Sequence, residues 1–304
     1  MDKLIDKIKE KNNPTVVGLD PKLSYIPDFI KQTSLAKFQN TFEAAADAIF
    51  SFNRNIIDAI YDIVPAIKPQ SAYYEVYGHF GAWAMQKTIA YAKSKGMYVI
   101  TDGKRNDIGT TIKAYSTAYL GESELFDGKK CAAFSSDALT VNGYLGTDGI
   151  KPLVEDCVNF DRSIFVLVKT SNPSSGELQD KTLSSGETIY EAMGSMCEKW
   201  GEDNIGKYGY SRVGAVVGAT YPEQLKELRQ KLSHTFFLVP GFGAQGATAQ
   251  NVAGAFKDGL GAIINSSRGI MCAWQKNDVN PKDFAKASRC EAMRMRDDII
   301  KVIL

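Results

Sequence analysis

Residues 97–111 read MYVITDGKRNDIGTT, a short β-branched run followed by a charged turn. A short apolar run that is closed by glycine and polar residues is typical of a strand buried on both faces. Seven more runs of this kind are spaced along the chain. The predicted strands are therefore residues 15–20, 63–68, 97–104, 138–142, 164–169, 213–217, 236–240 and 262–266.

Amphipathic stretches lie between these runs. Between Phe42 and Ile60, apolar residues recur every three or four positions, which predicts a helix with one buried stripe. Pro222 opens another helix, in the first turn, where its missing N–H costs little. The alternation of strands and helices without a break in composition predicts a (β/α)8 TIM barrel, with residues 1–304 as a single domain.

The chain is longer than a typical barrel because three connections are extended, namely residues 21–39, 121–137 and 171–188. Long connections in compact folds are usually lids or binding loops. A last helix is expected over residues 285–304, and the sequence assigns it no role beyond closing the barrel.

The composition limits the classes of function. Hydrophobic residues make up 44% and charged residues 23%, which excludes a mainly disordered chain. The formal charge of +1 argues against nucleic-acid binding, which needs a surplus of cations, but not against one small anionic ligand. The N-terminus is too charged for a signal peptide and no apolar run reaches membrane-spanning length, so we expect a cytoplasmic protein without membrane contact.

Metal and disulfide chemistry are not indicated by the sequence. The five cysteines include no CxxC pair, and the two histidines are far apart, so neither a thiolate nor a histidine metal site is expected. Acid–base chemistry is therefore expected to come from carboxylates and lysines.

Reactive groups of such barrels lie at the carboxyl ends of the strands. Those ends carry Asp20, Lys68, Asp102, Lys104 and Ser171. Because residues two apart on a strand share a face, Asp102 and Lys104 are expected to project together into the barrel mouth. The arrangement favours a lysine kept protonated by carboxylates, and the alternative is a salt bridge that seals the rim. Asp107 falls in the turn that leads to the next helix.

The last two strand ends are suited to a phosphate. They continue into PGFGAQG at 240–246 and NSSRG at 265–269. Loops at these two positions of a barrel often hold a phosphate through backbone N–H groups. The glycines let the backbone approach closely, and Arg268 offers a planar donor fork. Glycines that merely permit tight turns are the alternative.

Five motifs together resemble the orotidine 5′-phosphate decarboxylase family, and in particular its longer subgroup with the pattern DxKRxDIGxT. They are VGLD, DGKRNDIGTT, KTSNPSSG, VPGFGAQG and SSRG, which occur in the family's order between about residues 14 and 270. The resemblance implies cofactor-independent decarboxylation of orotidine 5′-monophosphate to UMP and CO2 in pyrimidine biosynthesis. It also implies a homodimer.

The resemblance assigns roles to individual residues. Lys104 is expected to protonate C6 of the pyrimidine, with Asp102 against the substrate carboxylate. Asp107 is expected to come from the partner subunit and to complete a Lys–Asp–Lys–Asp array with Lys68. Asp20 and Lys68 are expected to bind the ribose hydroxyls, and Thr111 to assist across the dimer interface.

The remaining implied contacts are those of the base and the phosphate. Ser171 is expected to contact the pyrimidine amide edge, Gln245 to bridge base and phosphate, and Arg268 to hold the phosphate. Pro240 and Ser267 are expected to line this part of the site. Ser267 stands where the family often has glycine.

Three alternatives stay open from the sequence. A metal-dependent sugar-phosphate lyase on the same barrel would bring an acidic metal ligand to the second strand, where this chain has Lys68. A Schiff-base aldolase would use Lys169 but would leave Asp102, Lys104 and Asp107 unexplained. A non-catalytic nucleotide-phosphate sensor would bind without turnover.

Overall fold

Short apolar runs, buried over most of their length, form the parallel strands of a closed barrel in the computed structural model, which describes residues 1–243, 246–276 and 279–303. The strands are β1 (Thr15–Leu19), β2 (Ala66–Pro69), β3 (Tyr98–Arg105), β4 (Ser123–Glu124), β5 (Lys130–Cys131), β6 (Ala138–Val141), β7 (Ser163–Lys169), β8 (Val213–Val217), β9 (Phe237–Pro240) and β10 (Ala262–Ser266). All except β4 and β5 belong to the barrel, which closes where β1 pairs with β10. The predicted (β/α)8 barrel is confirmed.

Helices alternate with these strands and cover the outside of the barrel. The longer ones are α1 (Asp2–Lys11), α2 (Asp28–Phe38), α3 (Phe42–Ile60), α5 (Gly78–Ser94), α6 (Gly109–Tyr119), α7 (Thr147–Asn159), α8 (Ile189–Gly201), α9 (Pro222–Lys231) and α12 (Phe284–Ile303). Short helices are α4 (Ala72–Glu75), α10 (Ala249–Ala253) and α11 (Arg268–Met271). None of the helices in the described ranges has a stretch apolar enough to span a bilayer.

Two apolar layers position the functional end of the barrel. The outer layer lies between strands and helices and includes the predicted stripe of α3, with Ile49, Phe52 and Ile56 fully buried. The inner layer fills the lower half of the barrel, where Leu4 and Ile5 of α1 pack in one cluster with inward-facing strand residues. Because the lower half is filled, a ligand can enter only at the carboxyl ends of the strands.

The three extended connections contain local structure. Residues 21–39 include a 3₁₀ turn (Leu23–Tyr25) and the helix α2, so most of this connection is helical and not an extended loop. Residues 121–137 contain the antiparallel pair of β4 and β5. Residues 171–188 contain a 3₁₀ turn (Pro173–Glu177) and an isolated antiparallel bridge between Thr182 and Thr188.

Candidate active site

A distortion at the end of β3 presents two charged side chains to the barrel mouth. The pairing of β3 with β6 shifts register between Thr101 and Arg105, and Lys104 has a φ of 47°. A non-glycine residue in the left-handed region is uncommon, and such conformations cluster at functional sites. Asp102 and Lys104 therefore do not meet through simple strand alternation. The bulge turns the lysine back towards the carboxylate.

The carboxylate of Asp102 is the centre of this cluster. Lys68 Nζ lies 2.6 Å from its Oδ2, and Lys104 Nζ lies 2.6 Å from its Oδ1. The hydroxyl of Thr140 donates to Oδ1 at 2.8 Å and accepts the backbone N–H of Lys104 at 3.0 Å. Thr140 thus links the carboxylate to the strained backbone of the lysine.

Burial differs sharply among the three charged groups. Asp102 and Lys68 are buried, whereas the side chain of Lys104 is 46% exposed and faces the mouth. Burial alone would lower the pKa of Lys68, but the charges of Asp102 and Asp20 raise it above the ordinary lysine value. Burial would raise the pKa of the Asp102 carboxyl, but Lys68 and Lys104 hold it well below its usual range. Asp102 is therefore ionised and Lys68 protonated at neutral pH.

Asp20 follows β1 beside this cluster. Its Oδ1 atom is buried and has no hydrogen-bond partner among the described residues. A buried acceptor without a partner is costly unless a ligand supplies the donor. Gly18, two residues earlier, lets β1 approach the loop after β10, since a Cβ at Gly18 would lie 1.9 Å from Ser267 Oγ.

These groups line a cavity of about 740 Å³ at the carboxyl ends of the strands. The sequence-predicted residues that line it are Asp20, Lys68, Asp102, Lys104, Ser171, Pro240, Ser267 and Arg268. The carboxylates and lysines lie at the ends of β1, β2 and β3, and Pro240, Gly241 and Arg268 lie at the ends of β9 and β10, which adjoin β1 on its other side. Gln245, the predicted bridge between base and phosphate, lies outside the described residues.

The glycine loop after β9 is held together by hydrogen bonds between its own backbone groups. Gly241 has a φ of 108°, which only glycine adopts readily, and it lines the cavity. The N–H of Gly243 donates to Ala247 O at 2.9 Å, and the N–H of Gly246 donates to Gly243 O at 3.0 Å. These two N–H groups hold the loop together and are not available to a phosphate in this conformation.

Asp107 and Thr111 do not line the cavity of their own chain within the described residues. Asp107 uses its Oδ1 to accept the N–H of Ile108 at 2.8 Å, and Thr111 lies on the exposed side of α6. The turn packs instead against the first turn of α7, because a Cβ at Gly149 would lie 3.0 Å from Asp107 O. The structure thus groups the other predicted catalytic residues and leaves these two apart.

Several cavity residues were not predicted. They include Lys22, Tyr25, Tyr73, Thr140, Gln179 and Asn265. Thr140 is a polar residue inside a predicted strand, and that anomaly was the available signal for it. Asn265 lies in the quoted NSSRG motif and has a buried Oδ1 without a partner among the described residues. The ammonium of Lys22 lies 5.8 Å from the ring centroids of both Tyr25 and Tyr73, and no local pattern indicates this contact.

Arg105 anchors the turn that carries the predicted catalytic residues. Its guanidinium pairs with Glu75, donates to Tyr119 OH at 3.0 Å and lies 5.6 Å from the ring centroid of Tyr115. These contacts join the end of β3 to α4 and α6. They hold the backbone in place directly after the bulge at Lys104.

Lys169, the candidate Schiff-base lysine, is held in a buried ion pair. Its side chain is fully buried, its Nζ lies 2.5 Å from Asp180 Oδ1, and it is not among the described residues that line the cavity. A Schiff-base lysine must present a neutral amine to its substrate. An ammonium paired with a carboxylate outside the cavity does not fit the aldolase alternative.

Comparison with known proteins gives a consistent result. The sequence matches the model of the orotidine 5′-phosphate decarboxylase / HUMPS family over residues 16–279. A protein from Caldicellulosiruptor bescii named orotidine 5′-phosphate decarboxylase is 44% identical over 300 residues, covering 98% of this chain and 97% of the relative. A Clostridium novyi protein of the same name is 41% identical over 299 residues, covering 98% of each chain. The solved structure of Leishmania donovani OMP decarboxylase aligns with a TM-score of 0.74 at 27% identity, covering 99% of this chain and 97% of that one.

Proposed function

The chain belongs to the orotidine 5′-phosphate decarboxylase / HUMPS family, and from that premise we propose that it converts orotidine 5′-monophosphate to UMP and CO2 through a C6 carbanion that Lys104 protonates. Relatives that match nearly its whole length carry the name orotidine 5′-phosphate decarboxylase. The chain is accordingly a carboxy-lyase of pyrimidine biosynthesis. The proton donor and the individual contacts are our proposal.

The observation that carries the mechanism is the Asp102 carboxylate held between two ammonium groups. Lys68 and Lys104 each lie 2.6 Å from it and both line the cavity, but Lys104 is far more exposed, at 46% of its side chain against 5% for Lys68. Loss of CO2 from C6 leaves an electron pair in the plane of the ring, with no conjugated sink within the substrate. An adjacent ammonium stabilises that charge and can hand over a proton without further movement of solvent.

Electrostatic repulsion between Asp102 and the substrate carboxylate contributes only part of the rate. At a separation of ~4 Å and an effective dielectric of about 20, two like charges repel by roughly 4 kcal/mol. Enzymes commonly lower barriers by about 8–23 kcal/mol. Lys68 neutralises part of the Asp102 charge, which reduces the repulsion further. Lys104 beside the developing carbanion and remote binding of the phosphate therefore supply the larger share.

The substrate contacts follow from the two sides of the cavity. The Oδ1 atom of Asp20, which has no partner among the described residues, accepts a hydrogen bond from a ribose hydroxyl, and Lys68 donates one to the ribose beside it. Ser171 faces the pyrimidine edge. Arg268, with Pro240 and Ser267 alongside, binds the phosphate, and Gln245 is proposed to bridge phosphate and base.

The homodimer is supported by the surroundings of Asp107. This residue and Thr111 lie outside the cavity of their own chain, on a surface where Ile108 is 52% and Tyr144 is 76% exposed. Exposed apolar side chains that form a contiguous patch commonly mark an interface. In a two-fold dimer, each chain can offer the same turn to its partner's cavity. Asp107 and Thr111 then complete the site across the interface.

Mixed dimers test this part of the proposal. Asp102→Ala and Asp107→Ala proteins are each expected to be inactive alone. A heterodimer of the two should regain one intact site, because one cavity then receives wild-type residues from both chains. If heterodimers form but remain inactive, Asp107 does not act across the interface.

A direct assay decides between the proposed reaction and the two alternatives that remain. Orotidine 5′-monophosphate should lose its absorbance on mixing with the protein, at the same rate with and without a chelator. Loss that requires a divalent cation would favour a metal-dependent lyase of the same barrel. Binding without loss would favour a nucleotide sensor. The cytoplasmic location, the absence of a cofactor and the lack of nucleic-acid binding stay predictions.

A further inference from the structure

A fully buried lysine outside the cavity contacts the segment that lines one side of it. We propose that Lys169 is a positioning residue, whose ammonium group, paired with Asp180, holds the pocket segment 171–179 in the conformation that lines the cavity. The catalytic part of this inference rests on the proposed function. The structural part does not.

The environment of Lys169 is unusual for a lysine. The side chain has 0% exposure, and its Nζ lies 4.3 Å from the ring centroid of Tyr221 as well as 2.5 Å from Asp180 Oδ1. Nζ also donates to Ser175 Oγ at 3.3 Å. A buried ammonium is costly unless it is paired with an anion and hydrogen-bonded. Its anion, Asp180, and its hydroxyl acceptor, Ser175, both belong to residues 175–180. The conformation of that stretch is therefore coupled to the lysine.

The pocket segment 171–179 is closed at its base by a second link. Gln179 Oε1 accepts the N–H of Thr170 at 2.9 Å, and Gln179 Nε2 donates to Thr170 Oγ1 at 2.8 Å. The hydroxyl of Tyr221 accepts from Ser175 and donates to Asn172 O. The two ends of the segment are thus tied together beside Lys169, and its middle is tied to the ring that lies against the ammonium.

The segment supplies a large part of the cavity wall. Its lining residues are Ser171, Asn172, Ser174, Ser175, Leu178 and Gln179. Ser175 both lines the cavity and accepts a hydrogen bond from Lys169, so a single residue connects the buried ammonium to the ligand site. If the anchor is lost, only a fraction of molecules hold a competent wall. The apparent affinity for substrate is then the intrinsic affinity multiplied by that fraction.

Lys169→Met separates this role from simple stability. Methionine fills a similar volume without charge, and the side chain of Asp180 is 44% exposed, so water can solvate it once the ammonium is gone. Replacing a buried charge by an apolar group is then not expected to lower the melting temperature. Asp180→Asn is the opposite case, because it leaves the ammonium buried without an anion. It should lower the melting temperature, and Asp180→Glu should restore it.

The test measures the ligand-free segment and the reaction separately. In Lys169→Met, the backbone amides of residues 172 and 174–178 should exchange hydrogen at least about tenfold faster than in the parent, with other regions unchanged. KM for orotidine 5′-monophosphate should rise about tenfold or more with kcat nearly constant, as for loss of uniform binding. Lys231→Met is the matched control, since its partner Glu191 also lies 2.5 Å away but the lysine is mostly exposed. It should change neither quantity.

Each result decides a separate point. Unchanged exchange in Lys169→Met would overturn the anchoring role, whatever the enzyme does. Faster exchange with unchanged KM would overturn the positioning role in catalysis. If the parent protein itself does not convert orotidine 5′-monophosphate, the proposed function fails, and the exchange result still decides whether Lys169 holds the segment.

Discussion

Replacement of Lys104 by methionine is the perturbation to which the proposed mechanism is most sensitive. The change removes the ammonium and keeps the length of the side chain. Asp102 retains Lys68 at 2.6 Å and the Thr140 hydroxyl at 2.8 Å, so no unpaired buried charge is created. Because the Lys104 side chain is partly exposed, its ion pair contributes little to stability. The variant should fold like the parent.

The expected loss of rate has two parts. An ammonium ~4 Å from a developing negative charge is worth roughly 4 kcal/mol at an effective dielectric of about 20, or about 10³ in rate. A positioned proton donor typically adds about 10²–10⁴. We therefore expect kcat of Lys104→Met to fall by at least about 10⁵-fold. Binding of UMP, which has no carboxylate and needs no proton, should change by less than about tenfold.

Single-turnover release of CO2 and calorimetric titration with UMP measure the two quantities. Lys104→Arg separates the two parts, because a guanidinium keeps the charge but does not release its proton in the physiological range. That variant should stay at least about 10²-fold slower than the parent. Lys87→Met, an exposed lysine of α5, is the control for charge removal. A Lys104→Met protein with kcat within about tenfold of the parent would refute the proton-donor role.

The remaining predictions concern the fit of the site, its charge and its phosphate end. Gly18→Ala should displace Ser267 and raise KM, because the new Cβ would lie 1.9 Å from the Ser267 Oγ. Adding Ser267→Ala should bring KM part of the way back to the parent value, and a double variant with unchanged KM would contradict the contact. The pKa of Asp102 is lowered in the folded state, so its stabilisation is complete above the unfolded value near ~3.9 and lost as pH falls through the lower folded value. The melting-temperature difference between parent and Asp102→Asn should therefore be constant above about pH 5 and shrink below about pH 4, and a difference that grows on acidification would contradict the shift. Arg268→Ala should slow turnover of the intact substrate but not of an analogue without phosphate; equal slowing of both would remove Arg268 from the phosphate site.

The strands of the barrel were predictable because their signal is local. Residues 213–217 and 262–266 match β8 and β10 at both ends, and each is a short apolar run bounded by turn residues. The start of β2 was predicted three residues early, at position 63 instead of Ala66. Pro65 directly precedes Ala66, and a proline has no N–H to give to the sheet.

Helices that bury only two or three residues were not predicted. The helix α1 is rich in charged residues, and it is stabilised by Leu4, Ile5 and Ile8, which pack against the bottom of the barrel. The helix α2 lies within a stretch expected to be an extended connection, and it buries only Ile30 and Ser34. Such helices depend on a surface that exists only after the barrel has closed.

The sequence by itself determined the barrel and the kinds of group at its mouth. Both depend on local signals, because an apolar run and the polar residues that end it lie within a few positions of each other. The tertiary structure decided how those groups are paired. Lys68 and Asp102 are 34 positions apart, and their contact follows from the register of adjacent strands around a closed barrel. The bulge at Lys104, the burial of Lys169 away from the cavity and the separation of Asp107 from its own site depend likewise on contacts between distant segments. Local patterns carry no information about them, since the free energy of each depends on neighbours that only the closed fold supplies.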